Sequence, residues 1–98
     1  MTIEKFVKYI MDKNGKNYQF TIAMEEMSEL IKELSKNIRG ENNRNEIAEE
    51  AADVFMCLKE IFCFFDIDEL EIQQILHQKI EKYYKETLKA LRAGEDES

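Results

Sequence analysis

The stretch NYQFTIAMEEMSELIKELSKNI, residues 17–38, decides the fold of this chain. Its apolar residues recur every three or four positions from Phe20 to Ile38, which is the period of an amphipathic α-helix. A second stretch, RNEIAEEAADVFMCLKEIFCFF at residues 44–65, repeats this period, and the polar loop between the two contains Gly40. The two stretches therefore predict a helical hairpin.

The flanking sequence predicts two further helices. Residues 3–11 are amphipathic after a candidate N-cap at Thr2, and a longer helix is expected from about 69 to 91 after Asp68. The absence of proline and the presence of only three glycines favour long helices. We expect an all-α four-helix bundle made by residues 1–93 as one domain, with a frayed acidic tail at 94–98.

Charge and composition exclude several classes of function. The net charge of −7 repels nucleic acid and anionic membranes, and no apolar run is long enough to cross a bilayer. The first residues lack the layout of a signal peptide, so we expect a cytoplasmic protein without nucleic-acid or membrane partners. Cys57 and Cys63 form no metal-binding pattern and are expected to be small buried apolar residues.

The second half of the third helix is apolar on nearly all sides. Between Val54 and Phe65 only Lys59 and Glu60 are polar, and such a helix must be covered from several directions. We therefore expect a homo-oligomer in which Met56, Phe64 or their neighbours pack against a second subunit. At the start of this helix, Asn43 and Glu46 have the spacing of a capping box.

Two similar acidic clusters lie on the second and third helices. Residues 25–29 read Glu-Glu-Met-Ser-Glu and residues 49–53 read Glu-Glu-Ala-Ala-Asp. On helical wheels each cluster borders the apolar stripe on the same flank, so an antiparallel hairpin brings four acids to one face. These acids are Glu26, Glu29, Glu50 and Asp53.

Four carboxylates at the edge of a core repel one another unless a cation lies between them. Oxygen-only ligands favour Mg²⁺ or Mn²⁺, and Mg²⁺ sites often act on phosphate esters and anhydrides. A di-iron site would normally use Glu-x-x-His pairs, and the single histidine, His77, is distant in sequence from both clusters. Either cluster alone also fits a solvated acidic helix face.

Glu26-x-x-Glu29 followed, after twenty residues, by Glu50-x-x-Asp53 resembles the signature of the MazG-like branch of the all-α nucleoside triphosphate pyrophosphohydrolases. The resemblance covers about residues 17–85. It implies that the four acids bind Mg²⁺ and that the enzyme splits a nucleoside triphosphate into the monophosphate and pyrophosphate, as a dimer or tetramer. In such an enzyme we expect Glu46, Glu49 or Glu25 to orient or deprotonate the attacking water.

Substrate contacts are expected at both ends of the matching region. Members of this family tend to carry phosphate-binding basic residues on the last helix, and Lys79 and Lys82 fit that pattern, whereas Tyr83 stands where asparagine is common. Lys79 borders the apolar stripe and is the better phosphate ligand. Gln19, with an amide that can read a base edge, and Tyr83 are candidate nucleobase contacts.

Three alternatives remain open from the sequence. The substrate of the same chemistry could be dUTP, dCTP or phosphoribosyl-ATP, which relatives of this fold hydrolyse. A non-catalytic helical module would use the apolar third helix for oligomerisation and the acids for solubility. A nucleotide-binding sensor would bind without cleaving.

Overall fold

The computed structural model describes residues 1–96, and within that range the chain forms four α-helices and no strand. The helices are α1 (Ile3–Asn14), α2 (Lys16–Ile38), α3 (Arg44–Phe65) and α4 (Glu69–Asp96). The all-α prediction is confirmed. No helix in the described part of the chain combines the length and the apolar character needed to span a membrane.

Helices α1, α2 and α3 form one compact unit, Met1–Asp66, and α4 belongs to a second unit that begins at Ile67. Within the first unit the most extensive contact is between α2 and α3, and α1 packs on both of them. The helical hairpin expected from residues 17–65 is therefore the centre of the first unit.

Local sequence signals set most helix ends. The Thr2 hydroxyl accepts a hydrogen bond from the Lys5 amide at 3.2 Å, which caps α1. Gly15 separates α1 from α2 with φ of 85°, a left-handed conformation that favours glycine. The Asp68 carboxylate accepts a hydrogen bond from the Leu70 amide at 2.9 Å at the start of α4.

The expected capping box at the start of α3 is wrong. Asn43 is the N-cap residue, but its side chain makes no capping hydrogen bond. Instead its amide donates to the Glu33 carbonyl at 2.8 Å and to the Glu33 carboxylate at 2.7 Å. Asn43 is buried, and these two hydrogen bonds connect the start of α3 to the last part of α2.

The register of the antiparallel α2–α3 pair is fixed at both ends. At the loop end Asn43 bonds Glu33, and at the open end the Phe20 ring lies 5.3 Å from Phe64 and 5.7 Å from Phe65, between ring centroids. At the same open end the Gln19 amide donates to the Glu60 carboxylate at 3.2 Å. This register brings the middle of α2 opposite the first half of α3.

The core of the first unit is small and contains a polar chain. Its buried apolar residues are Val7, Met11, Ala23 and Cys57. The side-chain amide of Asn14, which is exposed, donates to the side-chain amide oxygen of Gln19 at 2.8 Å, and the buried Gln19 donates onward to Glu60. One residue from each of the three helices takes part, so the chain of hydrogen bonds links α1, α2 and α3.

The cysteine prediction is correct for Cys57 and wrong for Cys63. Cys57 is buried, and burial raises the pKa of its thiol to about 11, with smaller contributions from nearby carboxylates. Cys63, two residues before the end of α3, is exposed.

The apolar half of α3 keeps much of its surface exposed in a single chain. Phe55, Met56 and Phe64 are 69%, 41% and 43% exposed. Phe55 and Met56 line a cleft of about 550 Å³ whose other wall is formed by α1, including Phe6 and Val7. The exposed residues include both of those expected at a subunit interface.

Helix α4 begins where the sequence predicts and continues further than expected, through Gly94 to Asp96. Of the tail predicted to fray, residues 97–98 lie outside the described residues.

Candidate metal centre

Three of the four predicted metal ligands converge on one face of the α2–α3 pair. Glu26 from α2 and Glu50 and Asp53 from α3 each offer a carboxylate oxygen, and these oxygens lie within 4.8 Å of one another. Glu50 and Asp53 share a face because they are three residues apart on one helix. Glu26 is opposite them because of the antiparallel register of α2 and α3.

Burial and then like charges at short range raise the pKa values of two carboxyls in this group. The pKa of Glu26 is raised, first by burial and then by the charge of Asp53 and a hydrogen bond to Asp53, with further contributions from Glu50 and Glu29. The pKa of Glu50 is raised by burial and then by the charges of Asp53 and Glu29, among others. The carboxyls of Glu26 and Glu50 are therefore harder to ionise, first because of burial and then because of the neighbouring carboxylates.

The donor set suits a hard divalent cation. All three groups are carboxylates, which are the ligands preferred by Mg²⁺ and Mn²⁺. A bound cation would offset the repulsion that, after burial, contributes to the raised pKa values of Glu26 and Glu50. Glu26 and Glu50 are half-buried while Asp53 is exposed, so the group is open to solvent on one side.

Glu29, the fourth predicted ligand, lies outside the group of three. Its carboxylate oxygen is 3.5 Å from the Lys32 ammonium nitrogen, one turn further along α2, and both side chains are largely exposed. Its charge still contributes to the raised pKa values of Glu26 and Glu50. Glu29 is thus close to the group of three, but its carboxylate forms an ion pair with Lys32.

The three candidates for positioning water, Glu25, Glu46 and Glu49, are all exposed. Glu49 is close enough to Glu50 for its charge to raise the Glu50 pKa. Glu46 borders a shallow cleft near the loop, together with Glu33 and Asn43. Of the three, Glu49 is the one that acts electrostatically on the group.

Gln19, a predicted nucleobase contact, is only 3% exposed. Its amide oxygen accepts from Asn14 and its amide nitrogen donates to Glu60, so both ends of the amide are engaged inside the first unit. A base reaching this amide would have to displace one of these partners.

The predicted phosphate and base contacts on α4 lie on one side of that helix. Lys79, Lys82 and Tyr83 border one shallow depression together with Glu86. Tyr83 is 75% exposed. The acids belong to the first unit and these three residues to the second.

Glu60 is a residue that sequence reasoning did not single out for a role. It is 4% exposed, and burial raises its pKa while the hydrogen bond from Gln19 partly offsets this effect. Its charge also raises the pKa of Cys57, which lies between it and the acid group along α3. The sequence feature that could have indicated a structural role for Glu60 is its position as the single acidic residue within the apolar half of α3.

No family model matches this chain, and searches of curated proteins and of solved structures also find no match.

Proposed function

We propose that this protein is a Mg²⁺-dependent nucleotide pyrophosphohydrolase that splits a nucleoside triphosphate into the monophosphate and pyrophosphate. The observation that carries the proposal is the convergence of Glu26, Glu50 and Asp53 from two helices, with carboxylate oxygens within 4.8 Å. The spacing of the two acidic motifs resembles the MazG-like signature, and this resemblance suggests the reaction class, hydrolysis of a nucleoside triphosphate to the monophosphate and pyrophosphate.

In this proposal Glu26, Glu50 and Asp53 hold the cation, with Glu29 joining them when it releases Lys32. Bound Mg²⁺ would supply positive charge against the phosphate oxygens. The raised pKa values support the assignment, because ionisable groups perturbed by burial and by each other cluster at functional sites.

The reaction adds one water across the bond between the α-phosphorus and the bridging oxygen of the triphosphate. A carboxylate must take up the proton that this water loses. We assign that role to Glu49, with Glu46 and Glu25 as the other candidates, because Glu49 is exposed and acts electrostatically on Glu50. Lys79 and Lys82 would neutralise the leaving phosphates.

The proposal includes self-association as a homodimer or homotetramer and a place in the cytoplasm. The support for self-association is the exposure of Phe55, Met56 and Phe64 on α3. The same exposed residues favour the second candidate function, a non-catalytic oligomerisation or nucleotide-binding module.

The test is pyrophosphate release from a panel of ribo- and deoxynucleoside triphosphates and phosphoribosyl-ATP, with Mg²⁺, Mn²⁺ or EDTA. Glu50→Gln removes one charge from the group, and Glu41→Gln, on the exposed loop, is the matched control. We expect release by the wild type and by Glu41→Gln, none in EDTA, and a loss of at least about a hundredfold in Glu50→Gln.

Two outcomes would overturn the proposal. Nucleotide binding without release, by folded protein, would identify a sensor. Neither binding nor release would favour the oligomerisation module, in which the acids serve only solubility.

A further inference from the structure

Glu60 is a buried acidic residue with no part in the proposed reaction. It is 4% exposed, whereas every other acidic side chain described by the structure is half-buried or exposed. It lies seven residues after Asp53, about two helical turns further along α3. Glu60 is therefore outside the candidate metal centre.

The hydrogen bonding of Glu60 suits a neutral carboxyl better than a carboxylate. The donor that reaches it from another helix is the Gln19 side-chain amide, at 3.2 Å, and the oxygen of that amide accepts from Asn14. A neutral amide offsets the charge of a carboxylate less than an arginine or a lysine would. A protonated carboxyl needs less compensation in such a site, because it carries no charge out of water.

The helices that pack against Glu60 present mainly uncharged side chains. From α1 the buried residues are Val7 and Met11, which are apolar. The titratable residues of α1 are all exposed, and they are Glu4, Lys5, Lys8, Tyr9, Asp12 and Lys13.

The charged neighbours on α2 lie on either side of Gln19. Lys16, about one turn before Gln19, has its ammonium nitrogen 5.6 Å from the centroid of the Phe64 ring. Glu26, about two turns after Gln19, belongs to the acid group.

On α3 itself the nearest titratable groups are Cys57 and Lys59. The Cys57 thiol is neutral near pH 7, because its pKa is raised to about 11, and Lys59 borders the cleft between α1 and α3. The Glu60 pKa is raised by burial and lowered by the hydrogen bond from Gln19, rather than shifted by any of these charges. Geometry and titration thus agree that the buried site favours the neutral form of Glu60.

Helix α1 is the part of the first unit that can most readily move to admit water. It is the shortest of the four helices, and its contacts with α2 and α3 are less extensive than those between α2 and α3. Asn14, its last residue, hydrogen-bonds Gln19, which in turn hydrogen-bonds Glu60. A change in the charge of Glu60 therefore acts on the polar chain that connects α1 to the α2–α3 pair.

We propose that Glu60 is a pH-dependent latch, whose neutral carboxyl keeps α1 packed on the α2–α3 pair and whose ionisation favours the release of α1. Release of α1 lets water supply the hydrogen bonds that the core does not give a carboxylate. The proposal does not depend on the proposed catalytic function.

The direction of the pH dependence follows from the raised pKa. Above the ordinary value of 4.5 the packed state retains a proton on Glu60 that the released state loses. The stabilisation is therefore complete below that value and is lost as the pH rises through the pKa of the packed state. The equilibrium constant for release should rise about tenfold for each unit by which the pKa of the packed state exceeds 4.5, and then level off.

The first test measures the ionisation of Glu60 directly. The carbon-13 signal of its side-chain carboxyl is followed by NMR as the pH is raised, in the full chain without divalent cations. We expect a titration midpoint above 4.5. A midpoint at or below 4.5 would overturn the proposal.

The second test measures the release of α1 by amide hydrogen exchange between pH 4 and pH 8, corrected for the intrinsic rate at each pH. Glu60→Gln keeps the shape and the hydrogen-bond acceptor but cannot ionise, and Glu41→Gln on the exposed loop is the matched control. The ratio of the wild-type opening constant to that of Glu60→Gln, at the Val7 and Met11 amides, should rise at least about threefold. The same ratio taken with Glu41→Gln should stay flat, because all other titrating groups are common to both proteins.

Two results of the exchange experiment would contradict the latch. A ratio to Glu60→Gln that does not change with pH would show that ionisation of Glu60 does not control α1. An equal change at the Ala23 and Val54 amides would mean that the whole first unit opens rather than α1. If Glu60→Gln does not fold, the wild type alone decides, since its α1 amides must lose protection with rising pH more than those of Ala23 and Val54.

Discussion

Glu26 on α2 and Asp53 on α3 have carboxylate oxygens within 4.8 Å of each other, and a hydrogen bond to Asp53 contributes to the raised pKa of Glu26. Two acidic side chains so close favour a shared proton or a shared cation. The packing of α2 on α3 holds them there, because Asn43 and Phe20 fix the register on either side. The fold therefore maintains a like-charge pair that a divalent cation would stabilise.

Mg²⁺ should stabilise the folded protein through this group. At a concentration of about 100 times the dissociation constant the gain is about 2.7 kcal/mol, which raises the Tm by roughly 10–20 °C. Differential scanning fluorimetry with and without Mg²⁺ measures this change. Asp53→Asn should abolish the shift, and Glu29→Gln should retain part of it, because Glu29 lies outside the group of three. A shift that survives in Asp53→Asn would contradict the site.

Without metal, removing one of the converging charges should stabilise the protein. Glu50→Gln relieves the repulsion from Asp53 and Glu29, so its Tm in EDTA at pH 7 should exceed that of the wild type. Glu41→Gln in the loop is the control and should leave the Tm nearly unchanged. A lower Tm for Glu50→Gln would mean that this carboxylate stabilises the fold in some other way.

The buried pair Gln19 and Glu60 should behave as a coupled unit. Gln19→Leu leaves the Glu60 carboxyl without the hydrogen bond from Gln19, at a cost of about 1–3 kcal/mol in the free energy of unfolding. Glu60→Leu leaves the Gln19 amide nitrogen unpaired, with a similar cost. The double variant should lose less than the sum of the two, measured by urea unfolding. Strict additivity would show that the two side chains do not interact.

Asn43 should give the protein a pH-dependent contribution to stability. Its hydrogen bond to Glu33 is the largest cause of the lowered pKa of Glu33, followed by the hydrogen bond from Lys36. A carboxyl with a lowered pKa in the folded state stabilises the fold above its ordinary pKa near 4.5, and this stabilisation is lost as the pH falls through the folded-state pKa. Asn43→Ala should therefore lower the Tm by several degrees at pH 7, and the difference from the wild type should narrow below pH 4. If Asn43→Ala lowers the Tm by the same amount at pH 7 and below pH 4, the hydrogen bond to the Glu33 carboxylate is not the cause of the loss.

The sequence predicts most of the fold of this chain because its signals are local. Thr2, Gly15 and Asp68 mark helix ends by chemistry that acts within three or four residues. The convergence of Glu26 with Glu50 and Asp53 could also be predicted from the sequence, because it follows from two helical wheels and one short loop.

What the sequence could not predict depends on contacts between helices. Asn43 has the spacing of a capping residue, yet its amide bonds Glu33, which lies ten residues earlier on α2. Glu60 looks like a solvent-facing acid on an apolar helix, and only its partner Gln19 from α2 makes its burial tolerable. Cys63 lies in an apolar stretch of sequence, yet its side chain is exposed.

Direct measurement of divalent cation binding tests the central claim, that Glu26, Glu50 and Asp53 form a cation site. The spectrum of free Mn²⁺ in electron paramagnetic resonance loses intensity when the ion binds, so a titration of the full chain gives stoichiometry and affinity. We predict saturable loss of the free Mn²⁺ signal for the wild type and Glu41→Gln, competition by Mg²⁺, and binding weakened at least about tenfold in Glu50→Gln. Equal binding by Glu50→Gln and the wild type, or no binding by the folded wild type, would contradict the account.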